Sequence, residues 1–213
     1  MKVLIQNLQK RNSLATDLCN EYDPDIILAQ EINLHTETND GCCYFPANNV
    51  SSMGYGTAIG IHNKNKHKEE FKVSDIKKVQ SPNAEFGGMF YKKTTIATIQ
   101  SIQFVSFHGY NGQPFKSISK LVEHVHAVVD VLSSGPVVFA GDFNTWSQEH
   151  VDAVKHELET VGGGFHHVYS WPYGRRDIPL DHVFLRGDLE LNMSEYYECA
   201  SDHRGALLEI NDS

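Results

Sequence analysis

The segment that most constrains the fold is residues 137–140, Val-Val-Phe-Ala, which Gly141, Asp142, Phe143 and Asn144 follow directly. A continuous run of branched and aromatic residues is typical of a strand that is buried on both faces. A carboxylate at the end of such a strand costs free energy unless it is paired or binds a cation. The segment therefore predicts a buried strand that presents an acid and an amide at the edge of a sheet.

The rest of the chain alternates between strand-like and helix-like patterns. Apolar runs predict further strands at residues 3–5, 26–29, 57–61, 71–79, 89–98, 102–107, 180–185, 189–197 and 206–210. Helical spacing of apolar residues predicts helices over 13–22, 115–133 and 148–160, capped by Asn12 or Ser13, by Ser117 and by Ser147. We expect loops from residue 32 to about 53 and over 168–178. Because no repeat or linker interrupts the pattern, it predicts a single domain over residues 1–213 with sheets packed between helical layers.

Composition excludes several classes of protein. The net charge of −9 argues against strong, non-specific attraction to nucleic acid over the whole surface. No apolar run approaches the roughly 18 residues of a membrane span, and the N-terminal strand turns polar too soon for a signal peptide. The four cysteines form no CxxC pair, so we expect free thiols and a cytoplasmic protein, unless a leader has been removed.

Polar residues recur where the predicted strands end. The set comprises Asn7, Glu31, His108, Asp142, Asn144, Asp181, Asp202 and His203. Binding groups in layered α/β folds collect at such edges because the strands hold them rigidly. Carboxylates and amides suit a hard divalent cation such as Mg²⁺ or Mn²⁺, and the absence of thiolates from the set disfavours zinc.

Six segments that contain these residues resemble, in order, those of the endonuclease/exonuclease/phosphatase superfamily, which has the DNase I-like fold. The most specific are Gly-Asp-Phe-Asn-Thr at residues 141–145 and Ser-Asp-His-Arg at residues 201–204. The other four are Asn7 at the end of the first strand, Glu31 after Ile-Ile-Leu-Ala-Gln, His108 after Phe107, and Asp181 before His-Val-Phe. The matches span residues 7–203, which is nearly the whole chain.

The resemblance implies an α/β fold in which two β-sheets form a four-layer sandwich flanked by helices, with the site at one edge. It also implies hydrolysis of phosphoesters with a divalent metal, Mg²⁺ or Mn²⁺. In this chain Glu31 would be the principal metal ligand, and Asn7 and Asp202 would lie close to the metal. Gln9 stands where several nucleases of the family carry an acid, which favours a single metal ion.

The resemblance also assigns roles to the remaining residues of the set. Asp142 would orient or deprotonate the attacking water, and Asn144 would hold Asp142 and the phosphate in place. His203 would contact the scissile phosphate while Asp181 fixes its tautomer, and His108 would bind a non-bridging oxygen. These residue types suit the chemistry because an anionic ester repels hydroxide, so that donors and a cation must neutralise the charge.

The substrate is less constrained than the chemistry. Arg175 and Arg176, together with Trp171, can hold phosphates and stack a base, and Tyr110 and Asn111 can reach the phosphate as Tyr and Asn do in some relatives. We therefore expect a nuclease with a nucleic acid substrate and no evident protein partner. The alternative is a phosphatase or phosphodiesterase that acts on a small molecule or a lipid headgroup. A long positive groove would favour the first and a closed pocket the second, whereas a non-catalytic binding module is disfavoured because the whole polar set is present.

Overall fold

The computed structural model describes residues 1–33, 39–51, 54–112, 116–162, 164–174 and 176–212. The helices are α1 Asn12–Tyr22, α2 Ile118–Val129 and α3 Gln148–His156, which continues as a π-helical turn, Glu157–Val161. The first strands are β1 Lys2–Asn7, β2 Ile26–Ile32, β3 Asn39–Asp40, β4 Cys43–Val50, β5 Gly56–His62, β6 Ser74–Glu85 and β7 Phe90–Ile99. The others are β8 Ile102–His108, β9 Val137–Asp142, β10 Phe165–Tyr173, β11 Arg176–Arg186, β12 Leu189–Tyr197 and β13 Gly205–Asp212.

These strands form two sheets. The first sheet has the order β12-β13-β1-β2-β5-β4-β3, and the second has the order β10-β11-β9-β8-β7-β6. Each sheet contains one parallel pair, β1 with β2 in the first and β8 with β9 in the second. Because parallel strands end at the same edge of a sheet, these two pairs bring the polar residues that follow them together.

Apolar side chains fill three interfaces between four layers. The inner faces of the two sheets pack against each other through residues such as Ile5, Phe104 and Val138. Helix α1 covers the outer face of the first sheet, with Leu18 packed among its residues. Helices α2 and α3 cover the outer face of the second sheet, where Val125 is buried. The helix–sheet–sheet–helix order is the DNase I-like sandwich that the sequence predicts, and no helix of the described residues is long and apolar enough to cross a membrane.

Strand β4 corrects the loop expected up to residue 53. Pro46 and the adjacent asparagines look like turn signals, but β4 pairs with β5 and accommodates Pro46 at a register shift between Tyr44 and Ala47. The side chain of Asn49 donates to the carbonyl oxygens of Val79 and Thr94 over 2.7 and 3.0 Å. Tertiary hydrogen bonds therefore outweigh the local preference for a turn.

The expected loop over residues 168–178 is also wrong, because this region contains most of β10 and the start of β11. Tyr173 pairs with Arg176 at its tip, and a register shift between Trp171 and Tyr173 accommodates the proline between them. Trp171 is buried in the core, and its indole N–H donates to the carbonyl oxygen of Arg204 over 2.9 Å.

The predicted helix caps are correct for two helices of the three. Ser117 accepts a hydrogen bond from the amide of Lys120, and Ser147 accepts one from the amide of His150. The expected cap of α1 is wrong, because the helix has no side-chain cap. The Asn12 side chain instead accepts a hydrogen bond from the backbone N–H of Asn33 over 2.9 Å and ties α1 to the end of β2.

Candidate active site

The ends of four strands from both sheets meet at one edge of the sandwich. In the first sheet, Asn7 at the end of β1 lies beside Gln30 of β2, which Glu31 follows. In the second sheet, Asp142 at the end of β9 pairs with His108 on β8 and with Asp181 on β11. The side chain of Asn7 crosses between the sheets and donates from Nδ2 to Oδ2 of Asp142 over 3.1 Å. Most of the polar set therefore forms one cluster at the junction of the two sheets.

Gly141 and Asn144 shape the backbone around Asp142. Gly141 has φ +137°, and an added Cβ would lie 2.2 Å from the carbonyl oxygen of Phe107, so only glycine fits. The backbone N–H of Asn144 donates to Oδ1 of Asp142 over 2.9 Å, and its side chain donates to Gly109 O over 3.1 Å. Asn144 itself has φ +56°, a conformation that asparagine tolerates better than most residues. This turn holds a carboxylate that is only 2% exposed in a single orientation.

His203 lies between two buried carboxylates. Its Nδ1 atom is 2.9 Å from Oδ2 of Asp181, and its Nε2 atom is 3.7 Å from Oδ2 of Asp142. Burial disfavours the imidazolium, but the charges of Asp181 and Asp142 outweigh burial and raise the pKa of His203 to about 10. Burial also raises the pKa of both aspartates, and the positive charge of His203 opposes that shift. The arrangement holds a protonated imidazole with Nε2 directed towards Asp142.

His108 lies on the other side of Asp142 and is neutral. Burial, and then the charge of Lys92, lower the pKa of His108 well below its ordinary value. The ammonium of Lys92 lies 2.6 Å from Nε2 of His108, so Nε2 accepts and the ring proton belongs on Nδ1. The same Nε2 atom is 3.6 Å from Oδ2 of Asp142 and 3.8 Å from Oε1 of Glu31. Lys92 therefore brings a positive charge to the edge of the cluster.

Seven of the residues predicted from the sequence meet in this cluster: Asn7, Glu31, His108, Asp142, Asn144, Asp181 and His203. Asp202 precedes His203 but is exposed, and its Oδ1 atom accepts a hydrogen bond from Ser201 at 3.5 Å. The buried Tyr110 lies near Lys120, and Asn111 lines a pocket beside the cluster.

The residues predicted to bind substrate from the β10–β11 region do not all reach this surface. Trp171 is 1% exposed and packs in the core, so its indole offers no face for stacking a base. Arg175 lies outside the described residues, and Arg176 is described as the first residue of β11. Trp171 is therefore not available to contact a substrate.

The donor atoms of the cluster fit a hard divalent cation. Single ligand atoms of Asp142, Asp181 and His203 lie within 4.8 Å of one another. Oδ1 of Asp181 is buried and has no hydrogen-bond partner among the described residues. Together with the carboxylate of Glu31 and the amide of Asn7, the set is rich in oxygen donors, as Mg²⁺ and Mn²⁺ require.

A second group of potential ligands lies away from this site. The ligand atoms of Cys19, Cys42 and His62 lie within 4.8 Å of one another, and Cys42 Sγ is 2.9 Å from His62 Nε2. The backbone N–H of Lys64 donates to Nδ1 of His62, so the ring proton of neutral His62 is on Nε2, facing Cys42. Burial raises the pKa of Cys42 to about 11. The cysteines of this group are free thiols, in agreement with the expectation from the sequence.

The sequence did not predict a role for Lys92, or for Gln6 and Gln30, which hold the residues of the cluster in place through hydrogen bonds. Gln6 donates from Nε2 to the carbonyl oxygens of Asn7 and His203, over 2.7 and 3.2 Å. Gln30 donates to Ser106 Oγ over 3.0 Å and links the two sheets beneath the cluster. A polar residue inside an apolar run was the available signal for Gln6 and Gln30, whereas nothing in the local sequence indicates the contact of Lys92 with His108.

The model of the endonuclease/exonuclease/phosphatase family matches residues 5–203. The chain belongs to this family, whose members are enzymes that hydrolyse phosphoesters. The UPF0294 protein of Vibrio parahaemolyticus is 40% identical over 85 residues, which cover 37% of this chain and 30% of that protein. The UPF0294 protein of Vibrio vulnificus strain YJ016 is 33% identical over 126 residues, which cover 56% and 43%. The matches thus span less than half the length of these relatives.

Solved structures share the fold over the whole chain at low sequence identity. The endonuclease/exonuclease/phosphatase from Bacteroides vulgatus has a TM-score of 0.70 at 14% identity and covers 100% of this chain and 98% of its own. The mannosyl-6-phosphatase Bt3783 of Bacteroides thetaiotaomicron has a TM-score of 0.68 at 14% identity, with 99% of both chains covered. The endonuclease domain of TRAS1, a telomere-specific non-LTR retrotransposon, has a TM-score of 0.66 at 18% identity, with 99% and 98% covered.

Proposed function

We propose that this protein is a divalent-metal-dependent phosphodiesterase, and within that class a nuclease that hydrolyses DNA or RNA. The observation that carries the proposal is the series Asp181–His203–Asp142 beside Glu31 and His108. Asp181 is hydrogen bonded to His203, and His203 Nε2 lies 3.7 Å from Oδ2 of Asp142. Five side chains from both sheets converge on one point, which is the arrangement that attack of water on a phosphoester needs.

Glu31 and Asn7 would hold the divalent cation, with Asp202 close to its shell. When bound, Mg²⁺ or Mn²⁺ would neutralise charge on the phosphate and lower the pKa of coordinated water. The carboxylate of Glu31 and the amide of Asn7 both lie beside the Asp142–His108 pair, which supports this part of the proposal. Glu31 has φ +49°, a strained conformation for glutamate that is typical of functional positions.

Asp142 would act as the general base. Two hydrogen bonds orient its carboxylate: the side chain of Asn7 donates to Oδ2, and the backbone N–H of Asn144 donates to Oδ1. Oδ2 would accept the proton of the attacking water, because it is the oxygen nearest to both imidazoles. Water activation and phosphate binding would thus take place within the reach of one carboxylate.

His203 would contact the phosphate directly, whereas His108 would act through Lys92, because its Nε2 accepts from that ammonium. His203 is protonated and would donate from Nε2 to a phosphate oxygen, while Asp181 holds its Nδ1 proton. His108 is neutral and is held by Lys92, whose ammonium would add a positive charge close to a non-bridging oxygen. Together these groups would stabilise the charge that develops in the transition state.

The second candidate function is hydrolysis of a small-molecule phosphoester. A pocket of about 380 Å³ next to Glu31 and His108 favours it, because sites for small ligands measure roughly 300–1,000 Å³. The chemistry at Asp142 would be the same for both candidates. The two candidate functions differ only in the group that is attached to the scissile phosphate, which is a nucleic acid in the first and a small molecule in the second.

Parallel assays would test the proposal. Plasmid DNA, single-stranded DNA, RNA and bis-p-nitrophenyl phosphate would be incubated with the protein and Mg²⁺, Mn²⁺ or EDTA. We expect metal-dependent cleavage of a polymer, and loss of that cleavage in Asp142→Asn and His203→Ala. Turnover of the small ester alone would move the substrate to the second candidate class. Full activity of either variant in excess EDTA would overturn the mechanism.

A further inference from the structure

A half-enclosed pocket opens beside the candidate active site. Its volume is about 380 Å³, and Glu31 and His108 form part of its wall. Because these two residues also belong to the catalytic cluster, a ligand in the pocket would be continuous with a phosphoester at Asp142. The pocket is therefore placed to receive the part of a substrate that adjoins the scissile bond.

Three lysines line this pocket: Lys10, Lys92 and Lys93. No ion pair neutralises any of them within the part of the chain that the structure describes. Two carboxylates also line the pocket: Glu31, the proposed metal ligand, and Glu85, whose Oε1 accepts the backbone N–H groups of Asn111 and Gly112 over 2.5 and 3.2 Å. The three lysines outnumber these two carboxylates. A chain with a net charge of −9 thus keeps a local excess of positive charge next to the site where an anion would react.

The three lysines make different contacts. Lys92 contacts the catalytic cluster directly, at 2.6 Å from Nε2 of His108. Lys93 is hydrogen bonded to Gln80 Oε1 on the neighbouring strand over 2.5 Å, and Lys10 follows β1. In the proposed function the ammonium of Lys92 lies close to the scissile phosphate. Lys10 and Lys93 are therefore available to bind a second anionic group.

Aromatic rings form the rest of the wall. Tyr55, Phe90 and Tyr91 line the pocket, and the ammonium of Lys10 lies 4.4 Å from the centre of the Tyr55 ring. Flat rings beside lysine ammonium groups suit a planar group that is attached to a phosphate, because the ring stacks while the cation binds the oxygens. This combination fits a nucleotide unit better than a purely apolar or purely ionic ligand.

We propose that this pocket binds the nucleotide next to the scissile ester, with the base against the tyrosines and a second phosphate held by Lys10 and Lys93. The inference rests on the proposed function and narrows its substrate class to phosphodiesters that carry a further phosphate one nucleotide away. A phosphorylated strand end and a free nucleoside bisphosphate ester share this chemistry.

Two esters with the same leaving group would test the inference. They are the p-nitrophenyl esters of thymidine 5′-phosphate with and without a 3′-phosphate. We expect kcat/KM to be at least roughly tenfold higher with the 3′-phosphate, as a charge-assisted contact implies. In Lys10→Gln and Lys93→Gln this ratio should fall towards one. Lys72→Gln, which removes an exposed lysine paired with Glu69, is the matched control and should keep the wild-type ratio.

A binding measurement separates the pocket from the chemistry. Isothermal titration of thymidine 3′,5′-bisphosphate in EDTA should show binding that Lys10→Gln and Lys93→Gln weaken at least roughly tenfold. A thymidine oligonucleotide with a 3′-phosphate, compared with the small ester, distinguishes a strand end from a free nucleotide.

The outcomes distinguish failure of the inference from failure of the proposed function. If kcat/KM is the same for both esters, and if the ratio of the two values is also unchanged in the lysine variants, the pocket inference is overturned. Metal-dependent hydrolysis would remain intact. Binding of the bisphosphate no tighter than that of thymidine would also overturn it. No turnover of any phosphoester with either metal would instead overturn the proposed function.

Discussion

The side chain of Asn7 donates from Nδ2 to Oδ2 of Asp142 over 3.1 Å, although the two residues end strands of different sheets. Both side chains are almost completely buried. This hydrogen bond joins the two sheets at the point where the candidate base lies, so the packing of the sandwich and the orientation of the base depend on each other.

Asn7→Ala should lower kcat for phosphodiester hydrolysis by roughly 10- to 100-fold, because loss of a buried hydrogen bond to a charged group costs about 1.5–3 kcal/mol. The measurement is steady-state hydrolysis of bis-p-nitrophenyl phosphate with Mg²⁺. Asn12→Ala, which removes a hydrogen bond to Asn33 rather than to Asp142, is the control and should retain wild-type kcat. Wild-type kcat in Asn7→Ala would show that Asp142 needs no support from the first sheet.

Asp181→Asn should lower the pKa of His203 from about 10 towards its ordinary value, because it removes the strongest nearby negative charge. Titration of the imidazole resonances by NMR measures this shift directly. Activity should fall by roughly 10²-fold or more, because the ring loses both its charge and its fixed tautomer. A His203 pKa that stays near 10 in the variant would contradict this account.

Gly141→Ala should destabilise the protein by roughly 3 kcal/mol or more, because it combines left-handed strain with a clash in the core. The added Cβ would meet Phe107 O at 2.2 Å, and the backbone of β8 cannot move away. Gly87→Ala is the matched control, since Gly87 also has positive φ but has nothing within 4 Å of an added Cβ. Urea denaturation compares the two variants, and equal losses would mean that the clash at position 141 is relieved cheaply.

The His126–Glu157 pair should make stability fall as the pH rises. His126 Nδ1 lies 2.7 Å from Glu157 Oε1, and this hydrogen bond, followed by the charge of Asp130, raises the pKa of His126 above its ordinary value of 6.5. A raised pKa in the folded state stabilises the protein fully below pH 6.5, and the contribution disappears as the pH rises through the folded pKa. His126 is half exposed, so the effect is modest.

His126→Gln isolates this contribution from those of other titrating groups. The urea midpoint of the wild type should exceed that of the variant at pH 6, and the difference should shrink by pH 9. A difference that stays constant between these two pH values would exclude a role for the charge of His126.

Some features of this fold are encoded by residues that are adjacent in the sequence, whereas others depend on a strand that is distant in the sequence. The segment that ends in Gly-Asp-Phe-Asn predicted both a buried strand and a turn that presents Asp142. Both signals are local, because an apolar run and a glycine turn are formed by residues that are adjacent in the sequence. Strand β4, strand β10 and the start of β11 were not predicted, because Pro46 and the proline after Trp171 look like loop residues until a partner strand accommodates them. The side chain of Trp171 was misassigned for the same reason, since its burial is decided by the opposite sheet.

The sequence by itself determined the family, because its motifs at the ends of strands resemble those of the superfamily. That resemblance implied the sandwich architecture and named most members of the candidate active site. Only the tertiary structure decided which atoms meet. It brought Asn7 to Asp142 across two sheets, placed Lys92 on His108, and gathered Lys10 and Lys93 beside aromatic rings in one pocket. Strand patterns specify what each strand buries, whereas the distance between side chains of separate strands depends on register and on how the two sheets pack.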